Sequence, residues 1–201
     1  MIIEKVIFDL GKVLVKFNPK NPFKNIFKSE DEINFFLKNI CTWEWHINQD
    51  IVYDTRPATE KKIRDHPEFR EAISAFYGRF QEMIVGVYDE NLKIALELKK
   101  RSIPIYILSN FPGEQFDIFA SKYKFVKDFD GMIISGKVGI KKPDPEIYKL
   151  CISRFNCKPN QTLFVDDKPE NTAAANIEGF QTITLDKPHK LGEYIKKFNL
   201  L

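Results

Sequence analysis

Five short apolar runs, spaced along the chain, constrain its fold more than any other feature of the sequence. They occupy residues 6–8, 103–108, 132–134, 162–165 and 182–185. Apolar runs without polar alternation are typical of strands that are buried on both faces of a parallel sheet. Segments with helical spacing lie between the later runs, so the sequence predicts successive βαβ units. The predicted fold class is therefore α/β with a mainly parallel sheet.

One segment, residues 17–86, departs from this alternation. Its apolar residues recur at helical intervals, and Pro57 and Pro67 interrupt the pattern. The segment contains no convincing strand pattern. The sequence therefore predicts an all-helical module that is inserted after the first strand, and a core that is assembled from residues 1–16 and 87–201.

Composition excludes several classes of protein. Apolar residues make up 43% of the 201 residues, which suits a globular protein with a full core. The formal net charge of +3 is spread along the chain and predicts neither nucleic-acid binding nor membrane binding. The three cysteines form no C-x-x-C pair, so we expect a reducing compartment, the cytoplasm. No heptad run is present, and the sequence predicts no particular oligomeric state.

Polar residues follow four of the apolar runs. In an open parallel sheet, ligands bind just beyond the carboxyl ends of the strands. A carboxylate, a hydroxyl, a cation and a carboxylate pair at that edge are together the groups that Mg²⁺-assisted phosphoryl transfer requires. The residues in question are Asp9, Ser109, Asn110, Lys141, Lys142, Asp166 and Asp167.

The chemistry of these groups suggests a role for each. Mg²⁺ prefers oxygen ligands, and one oxygen each from Asp9 and Asp167, with substrate phosphate and water, would hold the ion. An ionised Asp9 can attack phosphorus and form an aspartyl-phosphate, which water then hydrolyses. Lys142 and Ser109 would bind the equatorial oxygens of the phosphoryl group, where negative charge lies in the transition state.

Four segments in chain order carry a family resemblance. They are F-D-L-G-K-V-L from residue 8, L-S-N from residue 108, K-P-D-P-E-I-Y from residue 142, and F-V-D-D from residue 164. Together they resemble the ordered motifs of the haloacid dehalogenase superfamily, over residues 6 to about 185. The resemblance implies a Rossmann-like three-layer core with an inserted helical cap. It points to a group of small phosphatases that includes sugar-phosphate phosphatases and the phosphatase domain of soluble epoxide hydrolase.

The resemblance also implies site residues and an Mg²⁺ cofactor. It makes Asp9 the nucleophile and a metal ligand, with the backbone carbonyl of Gly11 as a further ligand. Asp167 corresponds to the metal carboxylate. Asp166 either binds the metal through water or orients its neighbours.

The same resemblance implies roles for residues of the second and third motifs. Ser109 and Asn110 correspond to residues that bind phosphate or substrate. Lys142, rather than Lys141, corresponds to the lysine of the third motif because it directly precedes Pro143. The resemblance implies that Lys142 pairs with the nucleophile and with phosphate.

The chain departs from the superfamily pattern at Gly11. Most phosphatases that it resembles have a second aspartate there, which protonates the leaving oxygen and then activates water. General acid–base help of this kind contributes about 10²–10⁴-fold to the rate. Substrate, water or a cap residue would have to substitute for it. Within the cap, Glu44 or His46 is a candidate, while the alternative places Trp43 and Trp45 in the cap core with His46 at its edge.

The predicted function is Mg²⁺-dependent hydrolysis of a small phosphomonoester, a sugar phosphate, through an aspartyl-phosphate on Asp9. Two alternatives stay open. A 2-haloacid dehalogenase would use the same Asp9 on carbon without a metal; Gly11 is compatible with it, whereas the Asp166–Asp167 pair is not. A catalytically weak relative that retains the pocket for binding is the other alternative.

Overall fold

The computed structural model describes residues 2–201, and a parallel sheet lies at its centre. The strands are β1 (Lys5–Phe8), β2 (Val15–Phe17), β3 (Ile84–Val87), β4 (Ile105–Ser109), β5 (Gly131–Ile134), β6 (Thr162–Asp166) and β7 (Gln181–Thr184). Five of these form the sheet, in the order β5-β4-β1-β6-β7, and all neighbours run parallel. The five apolar runs of the sequence correspond to these five strands. Because β1 lies between β4 and β6, the carboxyl ends of these three strands are adjacent.

Ten α-helices of residues 2–201 surround the sheet or lie in the segment between β2 and β3. They are α1 (Glu30–Asn39), α2 (Trp43–Ile47), α3 (Arg56–Asp65), α4 (Arg70–Gly78), α5 (Asp89–Lys100), α6 (Gly113–Lys122), α7 (Ser135–Val138), α8 (Pro145–Arg154), α9 (Pro169–Ile177) and α10 (Leu191–Lys196). Within residues 2–201, none of the helices combines the length and the apolar character that crossing a bilayer would require.

Local sequence explains where several helices begin. The Ser29 side chain accepts a hydrogen bond from the backbone N–H of Glu32 and caps α1. Thr42 caps α2 in the same way, with the N–H of Trp45 as donor. Asp144 caps α8, whose first residue is proline. Each cap satisfies a backbone donor that has no partner within its helix.

The sheet separates two hydrophobic clusters. Successive side chains of a strand point to opposite faces, so Val6 and Phe8 pack in one cluster with α5, α6 and α10, whereas Ile7 packs in the other with α8 and α9. The resulting helix–sheet–helix arrangement confirms the predicted three-layer α/β fold.

The helices α1 to α4 have a hydrophobic cluster of their own. Phe23, Phe36 and Ile73 are fully buried within it. The strands β2 and β3 flank this helical segment and pair antiparallel as a ribbon. The prediction that residues 17–86 contain no strand is therefore wrong at both margins, because very short strands of a two-stranded ribbon leave little periodic pattern. The division of the chain at residues 17 and 86 stays a prediction.

Candidate active site

A cavity of about 290 Å³ opens at the carboxyl ends of β1, β4 and β6. Asp9 directly follows β1, and Ser109 ends β4. All the predicted site residues line the cavity except Asp166, which ends β6 and is fully buried beneath it. The lining residues from the prediction are Asp9, Gly11, Ser109, Asn110, Lys142 and Asp167.

The ammonium of Lys142 lies between two carboxylates. Its Nζ is 2.8 Å from Asp9 Oδ1 and 2.6 Å from Asp166 Oδ2, and it donates a hydrogen bond of 2.9 Å to the carbonyl oxygen of Leu108. Burial alone would lower the pKa of Lys142, but the charges of Asp166 and Asp9 outweigh burial and raise this pKa. The lysine is therefore held as a cation against the predicted nucleophile.

Asn110 positions the backbone of Lys142. Its side-chain amide donates to the Lys142 carbonyl oxygen and accepts from the Lys142 backbone N–H, each at 2.9 Å. Both polar ends of the Asn110 side chain are thus engaged with the loop that carries the lysine. Its predicted part in phosphate binding stays a prediction.

Asp166 is surrounded by donors. Besides Lys142, it accepts hydrogen bonds from the Asn171 amide at 3.0 Å and from the backbone N–H of Lys168 at 2.8 Å. Both oxygens of Asp166 are engaged, and its side chain is inaccessible to solvent. This geometry favours the second of its two predicted roles, the orientation of its neighbours.

The donor set at this edge suits a hard cation. One oxygen each from Asp9, Asp166 and Asp167 lie within 4.8 Å of one another. Burial raises the pKa of Asp9 to about 6; Lys142 opposes this shift, and the negative charge of Asp166 adds to it. Burial also raises the pKa of Asp167, again with a contribution from Asp166. A divalent cation relieves such repulsion, and carboxylate oxygens are ligands that Mg²⁺ prefers.

The helical segment forms the other side of the cavity. Trp43 lines the cavity and is 47% exposed, whereas Trp45 packs edge-on against Phe76 in the cluster of that segment. The two tryptophans therefore differ, so the alternative that places both in the core is wrong. Glu44 is exposed and is not among the residues lining the cavity. His46 is buried and does line it.

Sequence reasoning missed Asp50, which also lines the cavity and is only 6% exposed. Asp50 Oδ1 lies 3.9 Å from His46 Nε2, and His46 Nδ1 lies 3.0 Å from the hydroxyl of Tyr77. Among the described residues, no group forms a hydrogen bond with Asp50 Oδ1. No sequence pattern marks this residue, because a lone aspartate after Asn48 and Gln49 has the pattern of a solvated turn.

The turn that carries Asp50 is docked onto the core through its backbone. Ser135 Oγ donates to the carbonyl oxygen of Asp50. The backbone N–H of Gly113 donates to Val52 O at 3.0 Å, and that of Glu114 donates to Tyr53 O at 2.9 Å. The position of Asp50 over the cavity is therefore set by the core as well as by its own helix.

Comparison with known families agrees with this geometry. A family model described as haloacid dehalogenase-like hydrolase matches residues 3–177. The chain belongs to this family. The structure of a haloacid dehalogenase family enzyme from Bacteroides thetaiotaomicron, in complex with magnesium and inorganic phosphate, is similar with a TM-score of 0.71 at 23% identity; the match covers 90% of this chain and 93% of that one. At this identity the likeness concerns the fold alone.

Two curated relatives of this hydrolase are phosphatases. A sesquiterpene phosphatase, astK, of Aspergillus oryzae is 34% identical over 41% of this chain and 42% of its own length. A phosphorylated carbohydrates phosphatase of Thermotoga maritima is 28% identical over 58% of this chain and 57% of its own length. The hydrolase thus spans less than two thirds of either relative.

Position 11 of this hydrolase has space for a larger residue. A Cβ atom built on Gly11 would contact Asp9 Oδ2 at 3.9 Å, which is an ordinary van der Waals distance. Steric hindrance therefore does not account for the glycine. Position 11 therefore accommodates a Cβ atom beside Asp9, and this chain has no side chain there.

Proposed function

We propose that this hydrolase removes phosphate from a small phosphomonoester, a sugar phosphate, through an aspartyl-phosphate on Asp9. The observation that carries the proposal is the Asp9–Lys142 pair, joined at 2.8 Å at the carboxyl edge of the sheet and lining the cavity. A carboxylate at the end of the central strand, paired with a buried cation, supports a role as a nucleophile on a ligand in that cavity.

The proposed reaction has two steps. A carboxylate oxygen of Asp9 bonds to phosphorus, and the bond between phosphorus and the ester oxygen breaks. Water then bonds to phosphorus, the bond to Asp9 breaks, and inorganic phosphate leaves. Lys142 balances the charge of Asp9, and the Ser109 hydroxyl donates to a phosphoryl oxygen.

Asp9 and Asp167, with the backbone carbonyl of Gly11, are the groups that would hold Mg²⁺. The acidic cluster described above fits such an ion by charge and by ligand type. When bound, Mg²⁺ supplies positive charge that offsets the negative charge of the phosphoryl oxygens. In this proposal Asp166 acts by orienting Lys142.

In this proposal, residues 17–86 act as a cap over the core of residues 1–16 and 87–201. The side chains of the cap determine the substrate specificity. Phe17, Trp43 and Phe80 line the cavity from that segment, and aromatic faces suit the apolar faces of a sugar ring. The similarity to the phosphorylated carbohydrates phosphatase supports a sugar phosphate as the substrate. Because of the similarity to the sesquiterpene phosphatase, a phosphomonoester with an apolar leaving group is the second substrate class to test.

The test is hydrolysis of a panel of phosphomonoesters that includes hexose 1- and 6-phosphates and a prenyl monophosphate. We expect phosphate release by the wild type with Mg²⁺, loss with EDTA, and loss in Asp9→Asn. The matched control, Asp31→Asn, changes an exposed residue of α1 and retains activity.

Two outcomes would contradict the proposal. Release of chloride from a 2-chloro acid, without turnover of any ester and without a need for Mg²⁺, would indicate a dehalogenase. Binding of phosphate with no turnover of either substrate class would indicate a binding relative.

A further inference from the structure

The proposed phosphatase reaction leaves one proton without a carrier. A sugar alkoxide is a poor leaving group, so the ester oxygen needs a proton as its bond to phosphorus breaks. Gly11 has no side chain that could supply one. The inference that follows rests on the proposed function and concerns which group of this chain moves that proton.

Three titratable groups on the sheet side of the cavity, Asp9, Asp167 and Lys142, already have a role in the proposed reaction. Asp9 is the proposed nucleophile, and Asp167 stands at the proposed metal position. Lys142 is held as a cation by two carboxylates, at 2.8 Å and 2.6 Å. The cap side contributes two titratable groups of another kind, His46 and Asp50.

His46 is unsuited to donate the proton. Burial lowers the pKa of its imidazole to about 4, and the positive charges of Lys168 and Lys141 act in the same direction. The imidazole is therefore neutral near pH 7, and its Nδ1 is 3.0 Å from the Tyr77 hydroxyl. A neutral imidazole is a weak proton donor.

Asp50 has the opposite character. Asp50 lines the cavity, and its Oδ1 is buried without a hydrogen-bond partner among residues 2–201. Burial raises the pKa of this carboxyl to about 7, although nearby lysines oppose the shift. Both protonation states are accessible near neutral pH, which is what a group that gives and then regains a proton requires. The titratable and charged groups that act on it are His46, Tyr77, Lys141, Lys142, Lys168 and Asp9.

The core holds this carboxyl in place. The backbone of the Asp50 turn receives hydrogen bonds from Ser135, Gly113 and Glu114, all of which belong to the core. Lys141, next to Lys142, donates at 2.7 Å to the carbonyl oxygen of Ile47, just before the turn. Docking of the cap therefore brings Asp50 to the same cavity that Asp9 lines.

We propose that Asp50 is the general acid and base of this hydrolase and takes the part that an aspartate at position 11 would play. The neutral carboxyl of Asp50 gives its proton to the ester oxygen as Asp9 bonds to phosphorus and the alcohol leaves. The resulting Asp50 carboxylate then takes a proton from water. The water oxygen bonds to phosphorus, the bond to Asp9 breaks, and phosphate leaves with Asp50 protonated again.

The test compares two leaving groups in wild type and Asp50→Asn. A hexose phosphate needs a proton on its leaving oxygen, whereas 2,4-dinitrophenyl phosphate does not, because dinitrophenolate is a stable anion. We expect Asp50→Asn to lose about 10²–10⁴-fold in turnover of the hexose phosphate. With dinitrophenyl phosphate we expect Asp50→Asn to show a pre-steady-state burst of dinitrophenolate at the wild-type rate. Slow turnover then follows, because hydrolysis of the aspartyl-phosphate lacks its general base.

Two further variants separate proton transfer from structure. Asp54→Asn removes a partly buried carboxylate that pairs with Arg56 at 2.8 Å and does not line the cavity, and its turnover should equal that of the wild type. Gly11→Asp in the Asp50→Asn background should raise turnover at least tenfold above that of Asp50→Asn, since a Cβ atom at position 11 makes only an ordinary contact with Asp9. A purely structural role of Asp50 would not be rescued from position 11.

Several results would overturn the inference. Unchanged turnover of the hexose phosphate in Asp50→Asn would remove Asp50 from the reaction, and an equal loss in both the hexose reaction and the burst would make its role structural. In either case wild-type turnover that requires Mg²⁺ and Asp9 would leave the proposed function standing. Absence of any wild-type turnover would overturn both proposals together.

Discussion

The surroundings of Asp50 favour the neutral form of its carboxyl group. Its Oδ1 is buried without a hydrogen bond from any of the described residues, and the nearest ring nitrogen of His46 is 3.9 Å away. An ionised carboxylate in such a place loses hydration that nothing replaces. The ionisation of Asp50 therefore makes the free energy of unfolding depend on pH.

Replacing Asp50 by Asn should change that dependence. The folded pKa of about 7 lies above the ordinary value of 3.8, so between these pH values the folded protein binds one proton more than the unfolded chain. Stability then falls as pH rises through this window, and an amide does not titrate. We expect the free energy of unfolding of Asp50→Asn, relative to wild type, to rise by up to a few kcal/mol from about pH 4 to pH 8.

Urea denaturation of both proteins at several pH values, without Mg²⁺, measures this difference. His46 is present in both proteins and contributes with the opposite sign, because its pKa is lowered to about 4. A difference between the two proteins that stays constant with pH would show that Asp50 is already ionised in the folded state.

The turn after α2 carries Asp50 to the cavity, and it packs on Gly113 and Gly136 of the core. A Cβ on Gly136 would lie 2.6 Å from Val52 O and would also clash with the backbone nitrogen of Gly113. Only glycine allows the turn and the core to approach this closely. The cap thus depends on the absence of two side chains for its docking.

Gly136→Ala should therefore displace the turn and reduce activity by at least tenfold, because a small displacement of a positioned group has large effects on the chemical step. The matched control is Gly78→Ala in α4, where a Cβ would meet no atom within 4 Å. We expect that control to keep wild-type activity. Steady-state kinetics of both variants on the same phosphomonoester check the prediction, and equal activities would show that the turn tolerates displacement.

At the element level, the sequence predicted the strands of the sheet far better than the ribbon. Buried parallel strands such as β4 and β6 are continuous apolar runs, and that pattern is strong. The strand β3 has a half-exposed pattern and contains Gly86 at a φ of +140°, so no apolar run marks it. Short ribbon strands are stabilised by pairing with a strand that is distant in sequence, and the local sequence of one strand does not show that pairing.

At the scale of the whole molecule, the part of the chain that the structure describes forms three hydrophobic clusters around the polar site. Two lie on the faces of the sheet, and the third belongs to the helices between β2 and β3. The cavity lies where the third cluster meets the sheet edge, since Phe17, Phe80 and Phe111 contribute to both the clusters and the cavity lining. We therefore expect ligand binding to slow amide hydrogen exchange both in the core and in the cap.

Amide hydrogen exchange tests this junction directly. With Mg²⁺ and vanadate, a phosphate mimic, we expect slower exchange at residues 9–12, 109–113 and 166–168 and also at residues 43–53 of the cap. The helix α1 lies outside the cavity lining and should be unaffected, which makes it the internal control. Protection that is confined to the core segments would contradict closure of the cap over the phosphate.

The same scale shows why the site was only partly predictable. The residues at the strand ends were found because sheet topology brings successive strand ends together, whatever the details of packing. Asp50 was not found, since its burial arises from contacts with residues as distant in sequence as Ser135. The sequence did not show that the Asn110 side chain bonds to the Lys142 backbone; its predicted contact with the ligand stays a prediction.

The bonds of Lys142 have a consequence for the order of events. An ammonium has three hydrogens, and Asp9, Asp166 and the Leu108 carbonyl occupy three directions around this one. A phosphoryl oxygen can gain a hydrogen from Lys142 only when one of these acceptors gives it up. In the proposed reaction Asp9 is the acceptor that loses its negative charge, because it forms an ester bond to phosphorus. We therefore expect the Lys142 hydrogen to pass from Asp9 to a phosphoryl oxygen as that bond forms.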